Sequence, residues 1–84
     1  MFYVYILEDA ISKKKYTGFT AYLHRRIRQH LCGEVHTTQS WHRIRLIYAE
    51  YYRNKMDALG REEFLKSGAG WRFLKKQLRH YFAG

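Results

Sequence analysis

The segment FYVYILEDAISKKKYTGF, residues 2–19, decides how the rest of the chain is read. Phe2 to Glu8 is aromatic and β-branched, with apolar residues on both alternating faces, which is the pattern of a central strand covered on both sides. Asp9-Ala10-Ile11-Ser12-Lys13 is polar enough for a hairpin loop, and Lys14 to Phe19 reads as the returning strand. Two tyrosine triplets, Tyr3-Val4-Tyr5 and Tyr16-Thr17-Gly18, therefore stand at hairpin spacing. Tyrosine carries a hydroxyl on an apolar body, so a strand can bury the ring and still aim the hydroxyl into a cleft. Gly18 marks a bulge or a close backbone approach. Tyr3 shares the strand face of Tyr5 but lies at the strand's outer end, where packing is its expected role.

Working outward, Thr20 is placed to cap a helix over residues 21–31, with Leu23, Ile27 and Leu31 as its buried stripe. Gly33 ends it, and residues 34–42 form a loop without strong periodicity. Residues 43–52 read as a third strand, rich in Ile, Leu and Tyr. Asn54, assisted by Asp57, caps a second helix over residues 55–66. Ser67-Gly68-Ala69-Gly70 breaks that helix, and a last one spans residues 71–82 with Trp71, Leu74, Leu78, Tyr81 and Phe82 on its apolar face. The expected order is β-β-α-β-α-α, an α+β fold with a small sheet and three helices packed on it, in one domain covering residues 1–84.

Bulk properties narrow the partners. Eighty-four residues, no proline and a single cysteine, Cys32, leave no internal disulfide and suit reduced, intracellular (cytoplasmic) surroundings. No apolar run approaches the roughly 18 residues of a membrane span, and the N-terminus lacks signal-peptide features. Sixteen Lys and Arg face seven acids, giving a net charge of +9. A surplus of that size on so small a body attracts polyanions, nucleic acid first. The basic residues cluster at Lys13-Lys14-Lys15, at Arg25, Arg26 and Arg28, at Arg43 and Arg45, and along Arg72 to Arg79.

Further residues able to do chemistry lie on the first two helices. At about 100° per residue, Glu62 falls among Ala58, Leu59 and Leu65, whereas Glu63 points away. A carboxylate in an apolar stripe needs a cation or hydrogen bonds to compensate it. A salt bridge to a neighbouring arginine is the plain structural explanation. On the first helix Arg26 and His30 flank the apolar stripe and can reach a cleft at the sheet edge; alternatively Arg26 pairs with a carboxylate such as Glu62 and His30 is an ordinary surface or half-buried residue. Arg25 and Arg28 point elsewhere, toward solvent or phosphate. His30, Cys32, His36 and His42 lie close in sequence but match no four-ligand zinc spacing. In the loop, Trp41 either anchors the chain to the core or stacks on a base.

Taken together, Tyr3-Val4-Tyr5, Tyr16-Thr17-Gly18, Arg26 ten residues after Tyr16, and the helix Ala58-Leu59-x-x-Glu62 resemble the GIY-YIG nuclease domain. Its short single-domain members look most similar, including at Phe64-Leu65-Lys66-Ser67-Gly68, and the resemblance covers nearly the whole chain. It implies a three-stranded antiparallel sheet with helices around it and a metal-dependent endonuclease acting on DNA. It also implies a catalytic set of Tyr5, Tyr16, Arg26, His30 and Glu62, with Glu62 holding one divalent ion, Mg2+ or Mn2+. These roles are physically reasonable. Magnesium keeps most of its waters and needs only one or two carboxylates plus a substrate phosphate. Arg26 can grip a non-bridging oxygen with its planar fork. Tyr16 can take a proton from water if cations stabilise the phenolate, since a free phenol titrates near roughly 10. Tyr5 and His30 would position water or phosphate.

Lys14, Lys15, Gly18, Arg25, Arg28, Trp41, Lys66 and Arg72 are the expected nucleic-acid contacts. Four departures from the family pattern leave the core groups intact: Tyr3 in place of glycine, Thr17 in place of isoleucine, Phe19 in place of a polar or basic residue, and no asparagine in the last helix, Asn54 being the only one in the chain. The small size favours branched or damaged DNA over a long recognition sequence, which would need a larger surface or a dimer, and a monomer is expected with a dimer as the alternative. No small-molecule cofactor is implied. The competing reading is a basic nucleic-acid-binding module that keeps the fold without catalysis. A weaker third is a protein-interaction domain.

Overall fold

A computed structural model describes residues 1–84. The chain order is β1 (Phe2–Asp9), β2 (Lys15–Thr20), α1 (Leu23–Leu31), a 3-10 turn (His36–Thr38), β3 (Ile44–Tyr52), α2 (Lys55–Leu65), α3 (Gly68–Gln77) and α4 (Arg79–Ala83). The sheet has the order β2-β1-β3 with both pairings antiparallel. β1 is central and is buried without a break from Val4 to Asp9, because both of its faces are covered. The fold is therefore the α+β architecture expected from the sequence.

Alternation along β1 creates two distinct faces. Val4 and Ile6 point to one, where with Ala58, Leu65 and Leu74 they form the apolar core beneath α2 and α3. Tyr5 points to the other, toward α1. Register carries the same division into β2: Gly18 lies opposite Tyr5 and Tyr16 opposite Leu7, while Lys15 lies opposite Glu8 on the core side. A bulge in β3 at Ile47, between the pairs Ile6–Tyr48 and Leu7–Leu46, adds a residue to that edge. Asp9 ties the far end together. Its carboxylate accepts from Ile11 N, Ser12 Oγ and, across to β3, Arg43 N at 2.9 Å. The tight hairpin turn places Lys13 in the left-handed region at φ +66°.

The helices differ from expectation in three places. Thr20 does not cap α1, which starts at Leu23; its Oγ1 instead accepts from Tyr22 N at 3.0 Å in the turn before it. The inward face of α1 is also rotated. Leu31 is 61 % exposed, whereas His30 is fully buried, so the helix packs through Leu23, Ile27 and His30. A hydrogen-bonded imidazole has taken the place of an aliphatic residue. Finally, the break after α2 is confined to Lys66 and Ser67. Ser67 caps α3, accepting from Gly70 N at 3.1 Å, so Gly68 to Gly70 form the first turn of α3, and a second break falls at Leu78, where φ −108° and ψ 31° leave helical geometry. Four helices therefore flank the sheet instead of three. None of them is long and apolar enough to cross a membrane.

Candidate active site

Tyr5 is the centre of the site because β1 is the centre of the sheet. Its ring is fully buried between Gly18 below and His30 above. Its hydroxyl shares a 2.9 Å hydrogen bond with His30 Nε2, and His30 Nδ1 shares one of 2.8 Å with Thr38 Oγ1. Tyr16 completes the cluster. Its ring centroid lies 4.8 Å from that of His30, edge to face, and 6.2 Å from that of Tyr5. Edge-to-face rings at these separations add attraction beyond their buried area. Three aromatic side chains from β1, β2 and α1 therefore fix one another, and only Tyr16 among them keeps access to solvent.

Arg26, one turn before His30, supplies the charge. It is half-buried, its Nη1 donates to Gln29 Oε1 at 3.0 Å, and its guanidinium stands beside the Tyr5 and Tyr16 phenols. Those phenols, Tyr5 foremost, hold the Arg26 proton more firmly than usual. Burial pushes the Tyr5 phenol up to about 12, with Arg26 pulling the other way. Burial, and then the Arg26 charge, lowers His30 to about 4. At neutral pH His30 is an uncharged imidazole with one donor and one acceptor nitrogen, which the two hydroxyls satisfy. Beside the cluster a surface depression of about 360 Å³ opens, lined by Phe19, Thr20, Tyr22, Arg25, Arg26 and Gln29. The Arg25 guanidinium lies 4.4 Å from the Tyr22 ring at its rim.

Glu62 is not bonded to this group. It is half-buried on α2, its carboxylate pairs with Lys66 Nζ at 3.2 Å, and no hydrogen bond or ion pair links it to Tyr5, Tyr16, Arg26 or His30. The alternative pairing of Arg26 with Glu62 is not formed. The arginine engaged by α2 is Arg61, which binds Glu50 through Nε and Nη2 at 2.9 and 3.0 Å. No cluster of three or more His, Cys, Asp or Glu side chains exists in the chain. A divalent ion would therefore take one carboxylate from the protein and the remainder of its oxygens from water and phosphate. Glu62 suits that donor set, because its partner Lys66 is exposed and free to swing away.

The remaining sequence candidates fall in different places. Lys14, Arg25, Arg28, Lys66 and Arg72 are exposed, and Trp41 is half-buried just after the 3-10 turn. Lys15 projects to the opposite sheet face from Tyr16 and pairs with Glu8 at 3.0 Å. Gly18 is buried against the Tyr5 ring, so it seats the tyrosine instead of offering open backbone. Thr38 was the functional neighbour that the sequence did not single out. Its only signal was a hydroxyl eight residues beyond His30, in a loop without periodicity.

The profile of the GIY-YIG catalytic domain matches residues 1–70. A UPF0213 protein of Clostridium perfringens is 38% identical over 68 residues, covering 79% of this chain and 71% of that one. Another from Haloquadratum walsbyi is 36% identical over 66 residues, covering 77% of this chain and 73% of its own length. The solution NMR structure of a UPF0213 protein from Bacillus halodurans superposes with a TM-score of 0.57 at 31% identity, covering 92% of this chain and 85% of that one. With its tyrosine pair, arginine and helix glutamate set on this sheet, the chain belongs to the GIY-YIG family of nuclease domains.

Proposed function

We propose that the protein is a metal-dependent endonuclease that hydrolyses DNA phosphodiester bonds. The observation that carries this reading is the packing of solvent-accessible Tyr16 against a neutral His30 with Arg26 alongside. A scissile phosphate seated in the depression would meet Arg26 first. The guanidinium donates to a non-bridging oxygen and offsets the charge that builds up as water attacks. Tyr16, held as a phenolate by the Arg26 charge beside it, accepts a proton from that water and becomes the neutral phenol. Tyr5 and His30 are fully buried, so they act as positioning residues: the Thr38–His30–Tyr5 hydrogen bonds hold the surface against which Tyr16 rests. Glu62 would hold the divalent ion, Mg2+ or Mn2+, which when bound supplies charge stabilisation at the phosphate and leaving oxygen. Among the exposed cations, Arg25, Arg28, Lys14, Lys66 and Arg72 would contact DNA, and Trp41 would border the same strand.

Incubating supercoiled and branched DNA with magnesium or manganese tests this. Wild type should nick, whereas Arg26→Ala, Tyr16→Phe and Glu62→Gln should each lose about a hundredfold or more in rate. Equal rates for all four proteins would sink the assignment. The pairing of Glu62 with Lys66, which occupies the proposed metal ligand, favours a second reading, a nucleic-acid-binding module without catalysis. That reading predicts salt-sensitive binding with no nicking by wild type under any divalent ion.

A further inference from the structure

A larger basic cleft lies on the other face of the sheet. It encloses about 1040 Å³ between the β1–β2 hairpin and the α3–α4 pair. Lys13, Lys15, Arg45, Lys75 and Arg79 line it, and Glu8 is its sole acidic side chain. That carboxylate is already neutralised. It is 3 % exposed, pairs with Lys15 at 3.0 Å and Arg45 at 3.2 Å, and accepts from the Tyr81 hydroxyl. Burial works against its ionisation, but Tyr81, Lys15 and Arg45 outweigh that and keep its proton affinity below the ordinary value. The cleft's net field is therefore positive.

Its cations are also held in place. Lys15 Nζ lies 5.3 Å from the ring centroids of both Trp71 and Phe82, Lys75 Nζ 5.5 Å from that of Trp71, and Arg45 5.2 Å from that of Tyr81. Aromatic faces attract cations and fix their position without neutralising them. Lys13, Lys75 and Arg79 are exposed and have no acidic partner. Cations spread along a groove, with Lys15, Arg45 and Lys75 seated on aromatic rings and Lys13, Lys75 and Arg79 without an acidic partner, match a chain of phosphates.

We propose that this cleft is a second seat for the DNA backbone, on the sheet face opposite the tyrosine cluster. Register supports the connection between the two. Lys15 and Tyr16 are consecutive on edge strand β2, one facing the cleft and the other the cluster. A nucleic acid that passes around the β2 edge touches both, so a small domain gains contact length without a second domain. The inference rests on DNA as the partner in the proposed function but not on cleavage.

The test is fluorescence anisotropy of a labelled duplex of about 20 base pairs, titrated in EDTA across roughly 50 to 300 mM salt. Two variants of equal net charge are compared with wild type: Lys75→Gln/Arg79→Gln in the cleft, and Arg53→Gln/Lys55→Gln at the β3–α2 turn. All four positions are exposed, so neither pair disturbs the core. The cleft variant should weaken binding roughly tenfold and reduce the slope of log K against log salt by about 2, while the control pair changes affinity less than about twofold. Equal affinity and slope for the two variants would overturn the proposal. A parallel magnesium nicking assay separates the two readings. Nicking with indistinguishable variants removes the cleft alone, whereas cleft-dependent binding without nicking keeps the cleft and removes the nuclease.

Discussion

Tyr5 and Gly18 form a single packing unit across the β1–β2 pair. A Cβ built on Gly18 would overlap the Tyr5 Cζ and hydroxyl oxygen and come within 2.8 Å of Cε1. The glycine is therefore the floor on which the ring lies, and the ring's hydroxyl is thereby aimed at His30. Gly18→Ala should displace the phenol, destabilise the protein by about 1–3 kcal/mol and depress nicking further than its stability loss accounts for. Urea unfolding alongside single-turnover cleavage at a temperature where the variant stays folded checks both effects. An unchanged urea midpoint would show that the ring is not held there.

His30 gives the fold a pH dependence of known sign. In the unfolded chain an imidazole takes up a proton below about pH 6.5, whereas folded His30 resists until about 4. Between these values the unfolded state binds the additional proton. The stability contributed by neutral His30 is thus complete above about pH 6.5 and is lost as pH falls toward 4. Denaturant midpoints measured across this interval should fall with pH in wild type, and His30→Gln should flatten the fall. Tyr5→Phe should cost about 1–3 kcal/mol, because it leaves one buried imidazole nitrogen without a partner.

The ion pair of α2 is structural and makes a useful control for the site. Arg61 binds Glu50 with two hydrogen bonds, and its guanidinium lies 4.4 Å from the Phe73 ring and 5.0 Å from that of Phe64. Glu50 also accepts from the hydroxyls of Tyr48 and Tyr52. Both partners are about a quarter exposed or less, so the pair lies between surface and buried limits. Arg61→Met keeps the stem between the two rings but removes the charge. It should cost about 2 kcal/mol and leave the nicking rate per folded molecule unchanged. A large loss of turnover by folded protein would place Arg61 in the site.

These residues also show what the sequence made legible. The hairpin, the central strand and the direction of Glu62 into the α2 stripe follow from periodicity, because side-chain period reports which face is covered. Periodicity could not tell that α1 would bury His30 in preference to Leu31. That choice depends on a hydroxyl from β1 and another from the 3-10 turn meeting the imidazole, two contacts distant in sequence. Lys15 was read as one of a cluster of similar lysines, yet pleating separates it from Tyr16 and turns it to Glu8. The Arg61–Glu50 pair was invisible for the same reason: nothing local links a helix arginine to a particular strand glutamate. Gly70 was misread as a helix breaker because glycine serves both chain reversal and close packing, and only the neighbour distinguishes them.

Two helical glycines separate those roles by experiment. Gly60 lies exposed in the interior of α2, and a Cβ there would meet nothing within 4 Å. Gly60→Ala should stabilise the protein by about 0.5–1 kcal/mol, because alanine loses less backbone freedom in a helix. For a domain of this size that raises Tm by roughly 2–8 °C. Gly70 is buried where α3 starts against the end of α2. A Cβ there would overlap the Phe64 carbonyl and lie 2.5 Å from Leu65 Cα. Both are backbone atoms, so relief requires moving the helix itself. Gly70→Ala should therefore destabilise by about 3 kcal/mol, with Leu65 and Leu74 losing their shared packing. Thermal unfolding of the two variants should move Tm in opposite directions. A neutral or stabilising Gly70→Ala would show that α3 does not approach α2 so closely and that Gly70 serves the turn alone.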